Sequence, residues 1–283
     1  MDQSPADFEG LPFTKMTASG NDFILINNFN AQVPEGAGSF LAQKLCRRAL
    51  SVGADGLILI ERPRSQEACF RWRFFNADGS EAEMCGNGGR CAARFAVEEG
   101  LCPQELAFET LAGLIRAEVK GRQVKIQLTP PRDLRLDFEL SLPEGALAAS
   151  FVNTGVPHAV VIVPPEELQD LPVKELGARI RHHETFEPSG TNANFVAVLG
   201  PQKIAVRTYE RGVEDETFAC GTGATAAALI SALKGLVTPP VEVLTKGGEI
   251  LKIFFELPDP KEVFLEGEAR FVYRASLSRE ALE

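Results

Sequence analysis

Two short segments place a cysteine directly before a glycine-rich turn. They are MCGNGG at 84–89 and ACGTGA at 219–224, and each precedes an alanine-rich stretch that predicts a helix. Unpaired N–H groups and the helix dipole at a helix N-terminus favour an anion, which lowers the pKa of a thiol there. The glycines let several N–H groups approach one carboxylate. The spacing therefore predicts two reactive thiols, Cys85 and Cys220, each beside a carboxylate-binding turn.

Two matched thiols favour one type of reaction, the inversion of a carbon that carries an acidic hydrogen. One thiolate removes the proton on one face, and the other thiol delivers a proton on the opposite face. A redox disulfide, a metal site and a Cys–His nucleophile are the alternatives, and the near-symmetry of the two segments argues against the nucleophile. A buried cysteine at a tight strand-to-helix turn is the structural alternative for either segment alone.

The two segments belong to a longer internal repeat. Their cysteines are separated by 220 minus 85, or 135 positions, and the same shift superposes Gly20 on Gly155, Thr110 on Thr245 and Gly113 on Gly248. One register over about a hundred positions indicates two similar halves with separate cores. We place the halves at 1–128, completed by a returning strand within 270–283, and at 129–269, with the boundary where a proline pair follows Thr129.

The elements that would position these thiols are mostly strands. Period-2 patterns and β-branched runs predict strands at 23–26, 57–60, 70–75, 106–110, 124–128, 160–163, 195–198, 204–209, 241–245, 250–255, 263–266 and 271–274. Helical patterns predict helices at 40–49, 89–99, 173–181 and 223–234. The fold class is therefore α/β. The segment before Phe13 carries no motif and is predicted to be a flexible extension.

Several longer motifs resemble those of the diaminopimelate epimerases, which interconvert the LL and meso forms of 2,6-diaminopimelate. They are FTKMTASGNDF at 13–23, GADGLI at 53–58, FFNADGSEAEMCGNGGRC at 74–91, NTGVPHAV at 153–160, GTNANF at 190–195 and YERGVEDETFACGTGATAA at 209–227. The resemblance covers nearly the whole chain. It implies two pseudo-symmetric α/β domains, each a curled sheet around a central helix, with the active site in the interdomain cleft. It also implies a reaction without metal or pyridoxal phosphate, and it allows a homodimer.

The resemblance assigns roles residue by residue. Cys85 and Cys220 would be the acid and base, tuned by His158 and Glu210. The backbone groups at Gly86, Asn87, Gly221 and Thr222 would hold the reacting α-carboxylate. The α-amino group and the distal end of the substrate would be bound by Asn21, Asn76, Asn192, Glu210 and Arg211, with Arg211 pairing with the distal carboxylate. Val156 stands where many members have Asn, and Thr154 or Asn192 could supply the missing hydrogen bond.

The remaining features are assigned to structure. No CxxC pair or zinc-like spacing occurs, and the other cysteines (46, 69, 91 and 102) are interpreted as packing or partly exposed thiols. CGNGGR lacks the third glycine of a dinucleotide fingerprint and the Lys-Ser or Lys-Thr of a P-loop. His182 and His183 are interpreted as surface residues. No cofactor is therefore indicated.

Charge and length restrict the function class. With 29 Lys and Arg against 39 Asp and Glu, the 283-residue chain has a net charge of -10, which opposes nucleic-acid binding. It has no apolar run near the roughly 20 residues that span a bilayer, and its acidic start differs from a signal peptide. We expect a cytoplasmic enzyme with a small amino-acid substrate and no membrane partner. The alternatives are a two-cysteine racemase of histidine or proline, and a non-enzymatic redox or metal-binding thiol protein.

Overall fold

The computed structural model describes residues 5–143 and 145–283. The chain divides into two compact units, and strands and helices in both form a mixed α/β fold. The first unit ends at Ile126 and resumes at Gly267–Glu283, and the second unit is Gln127–Glu266. The predicted α/β class is confirmed.

The first unit builds one sheet around a helix. Its strands are β1 (Pro12–Ala18), β2 (Asn21–Asn27), β3 (Gly56–Glu61), β4 (Phe70–Asn76), β5 (Glu81–Ala82), β6 (Glu105–Thr110), β7 (Gly113–Lys120) and β8 (Gln123–Gln127), and its helices are α1 (Ala37–Leu45) and α2 (Gly86–Glu98). The pairs β1–β2, β3–β4, β4–β5, β6–β7 and β7–β8 are antiparallel, and β2–β3 and β4–β6 are parallel.

Helix α2 lies at the centre of the first unit, in contact with β1, β2, β3, β4 and β7. Its buried positions include two glycines and three alanines, so the helix can approach the surrounding strands closely. Large side chains are buried in the same unit, among them Phe70, Trp72 and Phe108. The helix that Cys85 precedes is thus held by packing on most of its circumference.

The second unit repeats this arrangement. Its strands are β9 (Arg132–Leu142), β10 (Gly145–Asn153), β11 (Pro157–Ile162), β12 (Asn192–Gly200), β13 (Lys203–Glu210), β14 (Asp215–Thr217), β15 (Val241–Leu244), β16 (Ile250–Phe254) and β17 (Phe264–Glu268), and its helices are α3 (Pro165–Leu168), α4 (Val173–Arg181) and α5 (Gly221–Leu233). The pairs β10–β11, β12–β13, β13–β14, β15–β16 and β16–β17 are antiparallel, and β11–β12 and β13–β15 are parallel. Helix α5 contacts β10 to β13, β15 and β16.

The pairing pattern is the same in both units, strand for strand. Helices α2 and α5 each have 13 residues and begin at 86 and 221, which differ by 135. The final strand, β18 (Arg270–Ser276), pairs with β1 in the first unit as β9 pairs with β10 in the second. The two units are therefore pseudo-symmetric in topology, as predicted.

Some elements were not predicted from the sequence. Strands β1, β7, β9 and β10 are missing from the predicted set, although Leu134, Leu136, Phe138 and Leu140 alternate with polar residues along β9. Only Leu140 of these four is buried. Period-2 alternation was thus the signal that could have found β9.

The segment before Phe13 is not a flexible extension where the structure describes it. Residues Pro5–Phe8 form a 3₁₀ turn, and Phe8 and Leu11 are buried in a core cluster that also contains Leu277 and Leu282. Residues 1–4 of the predicted extension lie outside the described residues. Among the described residues, no helix is both long enough and apolar enough to cross a membrane.

Candidate active site

Cys220 caps the N-terminus of α5. Its backbone is extended, with φ -125° and ψ 110°, and its Sγ accepts a hydrogen bond from the Gly223 N–H at 3.4 Å. The Thr222 hydroxyl lies 3.4 Å from the same sulfur. A short side chain before a glycine-rich turn lets the chain leave β14 and enter the helix while the sulfur faces its first turn.

Burial controls the protonation of this thiol. Burial, reinforced by the negative charge of Glu210, raises the pKa of Cys220 to about 12, although the Thr222 hydroxyl and the backbone N–H groups of Thr222 and Gly223 oppose the rise. The expectation of an acidic thiol at Cys220 is therefore wrong, because desolvation outweighs the helix N-terminus. Cys220 rests as a protonated thiol.

Glu210 and Arg211 follow one another at the end of β13. Burial raises the pKa of Glu210 above its usual value. The Arg211 N–H donates to Asn192 Oδ1 at 2.8 Å, and its guanidinium donates to the Ser189 carbonyl at 3.1 Å. No carboxylate among the described residues forms an ion pair with Arg211, in contrast to Arg207, which pairs with Glu216 at 2.6 Å. Arg211 is thus the cation of this half-site that has no acidic partner within the described chain.

The two residues expected to compensate for Val156 are engaged within the protein. Asn192 is 3% exposed, and its amide nitrogen donates to the Pro157 carbonyl at 2.8 Å. The Thr154 hydroxyl donates to the Thr222 carbonyl at 2.9 Å. Asn192 therefore positions the backbone of Arg211 and of Pro157, and Thr154 positions the turn after Cys220.

His158 lies at the start of β11 and is completely buried. Burial, reinforced by the charge of Arg211, lowers its pKa to about 3. The imidazole is therefore neutral near neutral pH. Exposed His182 and partly exposed His183 lie at the surface, as predicted.

Cys85 caps α2 in the first unit in the same way. Its backbone has φ -144° and ψ 118°, and its Sγ accepts from the Gly88 N–H at 3.5 Å. Cys85 is partly exposed, whereas Cys220 is buried. The two predicted half-sites thus share one capping geometry and differ in solvent access.

The polar residues beside Cys85 form a chain of hydrogen bonds. The Asn87 amide donates to Asn21 Oδ1 at 2.7 Å, and the Asn21 amide donates to Asp55 Oδ2 at 2.8 Å. The guanidinium of Arg90 donates to Asn87 Oδ1 at 3.0 Å and to the Ser19 hydroxyl. Arg90 was not among the predicted site residues, although CGNGGR places a cation in the first turns of a glycine-rich helix. Its complete burial shows that it supports Asn87 from inside the unit.

Asn76 stands apart from this chain of hydrogen bonds. Its amide donates to the Ser80 hydroxyl at 3.0 Å, and its backbone N–H bonds the Ser80 carbonyl. These contacts close the turn after β4, as the sequence NADGS suggests on its own. The role of Asn76 in substrate binding stays a prediction.

Two of the other four cysteines are not thiols. Cys69 and Cys102 form a disulfide, with their Cα atoms 5.8 Å apart. The interpretation of this pair as thiols is wrong, because β4 and the end of α2 bring residues 33 positions apart to bonding distance. Cys46 and Cys91 are buried, and burial raises the pKa of each to about 12.

The predicted site residues thus gather into two half-sites. Cys220, Thr222, Glu210, Arg211, Asn192 and His158 belong to the second unit, and Cys85, Asn87, Asn21 and Asn76 belong to the first. The placement of the active site in a cleft between the domains stays a prediction. Within the described part of the chain, no group of three or more His, Cys, Asp or Glu residues could hold a metal ion.

Comparison with known proteins identifies similar sequences over almost the full length. The family model described as diaminopimelate epimerase matches residues 13–133 and 150–272. A protein of Aquifex aeolicus (strain VF5) named diaminopimelate epimerase is 50% identical over 286 residues, which cover 96% of this chain and 100% of the relative. Both Cys-Gly-x-Gly turns fall within the matched regions.

Solved structures with little sequence similarity share the fold. The phenazine biosynthesis protein of the PhzF family from Bacillus anthracis has a TM-score of 0.71 at 15% identity, covering 94% of this chain and 98% of that one. The probable proline racemase from Agrobacterium radiobacter K84 has a TM-score of 0.64 at 17% identity, covering 94% and 92%. The fold is therefore shared with proteins whose sequences have diverged widely.

Proposed function

The chain belongs to the diaminopimelate epimerase family, and we propose that it interconverts LL- and meso-2,6-diaminopimelate by acid–base chemistry at Cys85 and Cys220. One observation carries the proposal. Two cysteines 135 positions apart cap the central helices of two units with the same strand pairing, and each sulfur accepts a hydrogen bond from the third residue of its helix. An inversion needs one acid and one base, and a duplicated half-site supplies both.

In the reaction one proton leaves the α-carbon and another is added to it, and the protonation states of the two cysteines are exchanged. The thiolate of one cysteine takes the α-proton, so a C–H bond breaks and an S–H bond forms. The S–H bond of the other cysteine then breaks as a new C–H bond forms on the opposite face. The raised pKa of Cys220 fits it to the role of proton donor when Cys85 is the base. In the reverse direction Cys220 must ionise, which its Thr222 and Gly223 contacts favour.

The negative charge that develops on the substrate needs a receptor. The N–H groups at the start of α2 and α5 are suited to the α-carboxylate, because each helix N-terminus carries a partial positive charge. Arg211 is suited to the distal carboxylate, since its guanidinium has no acidic partner among the described residues. Glu210 is suited to the substrate ammonium group as a carboxylate close to the reacting thiol.

Solvent isotope exchange tests this mechanism. We expect the α-hydrogen of LL-diaminopimelate to exchange with deuterated solvent in the presence of the protein. Cys85→Ser and Cys220→Ser should each reduce epimerisation severely, because a hydroxyl is a far weaker acid than a thiol. Cys91→Ser, which alters a buried thiol outside both turns, is the matched control. Full epimerisation by either catalytic variant would overturn the two-thiol mechanism.

A racemase of a single-carboxylate amino acid is the nearest alternative, and the fold is shared with a probable proline racemase. Arg211, which has no acidic partner among the described residues, favours a substrate with a second carboxylate. We expect diaminopimelate to be turned over and proline and histidine to be inert. Arg211→Met should raise KM for diaminopimelate more than it lowers kcat. Turnover of proline with an unchanged rate in Arg211→Met would favour the alternative.

A further inference from the structure

The side chain of Asn194 on β12 touches three groups of the second unit. Its amide nitrogen lies 2.9 Å from the Ala159 carbonyl oxygen and 3.1 Å from His158 Nδ1. Its amide oxygen accepts from the Thr208 hydroxyl at 3.0 Å. Asn194 and Thr208 are direct cross-strand partners, and both are buried. The amide therefore has little freedom to move.

These contacts determine where the proton of His158 lies. A backbone carbonyl can only accept, so the Asn194 atom that faces Ala159 must be the nitrogen. The second hydrogen of that nitrogen then points to His158 Nδ1, which must present a lone pair. A neutral imidazole with a lone pair on Nδ1 carries its hydrogen on Nε2.

The Nε2 atom of His158 is itself buried, and it has no hydrogen-bond partner among the described residues. A buried donor without a partner is costly, and proteins retain few of them outside functional sites. In the Nε2–H tautomer this atom can donate to negative charge and cannot take up a proton. That is the opposite of the base that a histidine often provides beside a thiol.

We propose that Asn194 is a positioning residue that holds His158 as the Nε2–H tautomer, a hydrogen-bond donor to negative charge during the reaction. The proposal rests on the proposed epimerase function and assigns a role to a residue outside the two cysteine turns.

Asn194 also lies against the turn that follows Cys220. A Cβ atom on Gly223 would come within 2.4 Å of Asn194 Oδ1, so the first turn of α5 packs directly on this amide. The N–H of the same glycine donates to Cys220 Sγ. One side chain thus positions both the imidazole and the helix turn that contacts the thiol.

The tautomer can be read without measuring activity. His182→Gln and His183→Gln together leave His158 as the only histidine of the three in the chain. In the full-length protein with isotope-labelled histidine, nitrogen NMR at neutral pH should show a neutral ring protonated at Nε2. A ring protonated at Nδ1, or at both nitrogens, would overturn the proposal.

Asn194→Asp tests the positioning role. A carboxylate can only accept, so it should draw a proton to Nδ1, and the NMR signature should change accordingly. We expect kcat/KM to fall about 10- to 100-fold, the loss expected of a hydrogen bond to a charged group. If Asn194→Asp lowers kcat, His158 Nε2–H donates to negative charge that develops on the substrate during the reaction. If the variant raises KM, Nε2–H donates to a carboxylate of the bound substrate.

Two further variants keep the test decisive. Thr208→Val keeps the shape of the side chain and removes the hydroxyl that orients the amide. It should mix the two tautomers and lower kcat/KM roughly 2- to 10-fold. Asn28→Asp is the control for general destabilisation, because Asn28 is also a buried asparagine and bonds the Val33 backbone in the first unit. Equal losses of activity in Asn194→Asp and Asn28→Asp, with an unchanged tautomer, would contradict the positioning role.

These outcomes separate the inference from the function on which it rests. Active Cys85→Ser or Cys220→Ser variants together with the expected tautomer would overturn the two-thiol mechanism alone. Inactive thiol variants with the wrong tautomer would overturn the role of Asn194 alone.

Discussion

At the residue scale, the environment of a thiol matters as much as its position. Cys85 and Cys220 have the same sequence context and the same capping contact, yet only Cys220 is buried. Burial removes water from the thiolate, and this cost exceeds the stabilisation by three nearby donors. The pattern Cys-Gly-x-Gly therefore predicts where the sulfur lies, and it does not predict its pKa.

The charge of Glu210 leads to a prediction about the pKa of Cys220. Glu210→Gln removes a negative charge that raises the pKa of Cys220, so the thiolate of Cys220 should form at lower pH. Ultraviolet thiolate absorbance, with Cys220→Ser subtracted, measures this change. Glu214→Gln is the control, since Glu214 is an exposed carboxylate that pairs with Arg181. A pKa of Cys220 that stays at its original value in Glu210→Gln would exclude the electrostatic effect.

The burial of His158 leads to a prediction about how the free energy of unfolding depends on pH. Its folded-state pKa of about 3 lies below the ordinary value near 6.5, so its contribution is complete above pH 6.5 and is lost as pH falls towards 3. At about pH 5 this one group should cost about 2 kcal/mol of unfolding free energy.

Urea unfolding at pH 7 and pH 5 measures that cost. His158→Gln should lose less stability over this interval than the original protein, whereas His182→Gln should behave like the original. Equal losses in all three proteins would show that His158 is not held neutral by burial.

At the scale of elements, the disulfide joins the region before β4 to the segment that follows α2. Cys69 and Cys102 are 33 positions apart, and the segment between them contains β4, β5 and the whole of α2. Because α2 carries Cys85 at its N-terminus, the crosslink fixes the opposite end of the helix. The sequence does not predict this bond, because a pairing between distant cysteines depends on the packing of the helix on the sheet.

Reduction of this disulfide should destabilise the protein. Chain entropy for a loop of this length gives roughly 3–4 kcal/mol, lost in Cys102→Ser or with a reductant. Chemical unfolding of the oxidised and reduced protein measures the difference. The Cys69→Ser/Cys102→Ser double variant is the matched control and should be insensitive to reductant. An original protein that is equally insensitive would contradict a stabilising crosslink.

The helices that bury a face against a sheet were predicted close to their observed bounds. Helix 173–181 was predicted with its observed bounds, and the helices at 89–99 and 223–234 were placed within three residues of their observed starts. Helices α2 and α5 begin earlier than predicted because Gly86 and Gly221 are poor helix formers that the cysteine caps bring into the helix. Strand β9, most of whose side chains are exposed, was missed despite the period-2 alternation in its sequence.

At the scale of the whole molecule, the first unit depends on both ends of the chain. Strand β18 pairs with β1, and Leu277 and Leu282 lie in the same core cluster as Phe8 and Leu11. The Leu277 N–H also bonds the Leu11 carbonyl. The last residues of the chain are therefore part of the core of the first unit.

Leu282→Ala tests this dependence. Deleting a fully buried leucine costs about 2–5 kcal/mol, and the loss should be concentrated in the first unit. Hydrogen exchange should show faster exchange in residues 5–126 than in 127–143 and 145–266. Leu140→Ala, a fully buried leucine in the core of the second unit, should give the reverse pattern. Identical exchange patterns in the two variants would show that the units do not open separately.

The sequence by itself determined the family, the α/β class, the duplication and the two cysteine turns, because these depend on local residue patterns and on one repeated spacing. Tertiary structure decided the properties that depend on distant groups. Burial under the second unit's strands raises the pKa of Cys220, and packing brings Cys69 to Cys102. The contacts of Asn194 with Ala159 and Thr208 define the proton on His158. Desolvation and hydrogen-bond direction arise only when separate strands meet, so local patterns carry no record of them.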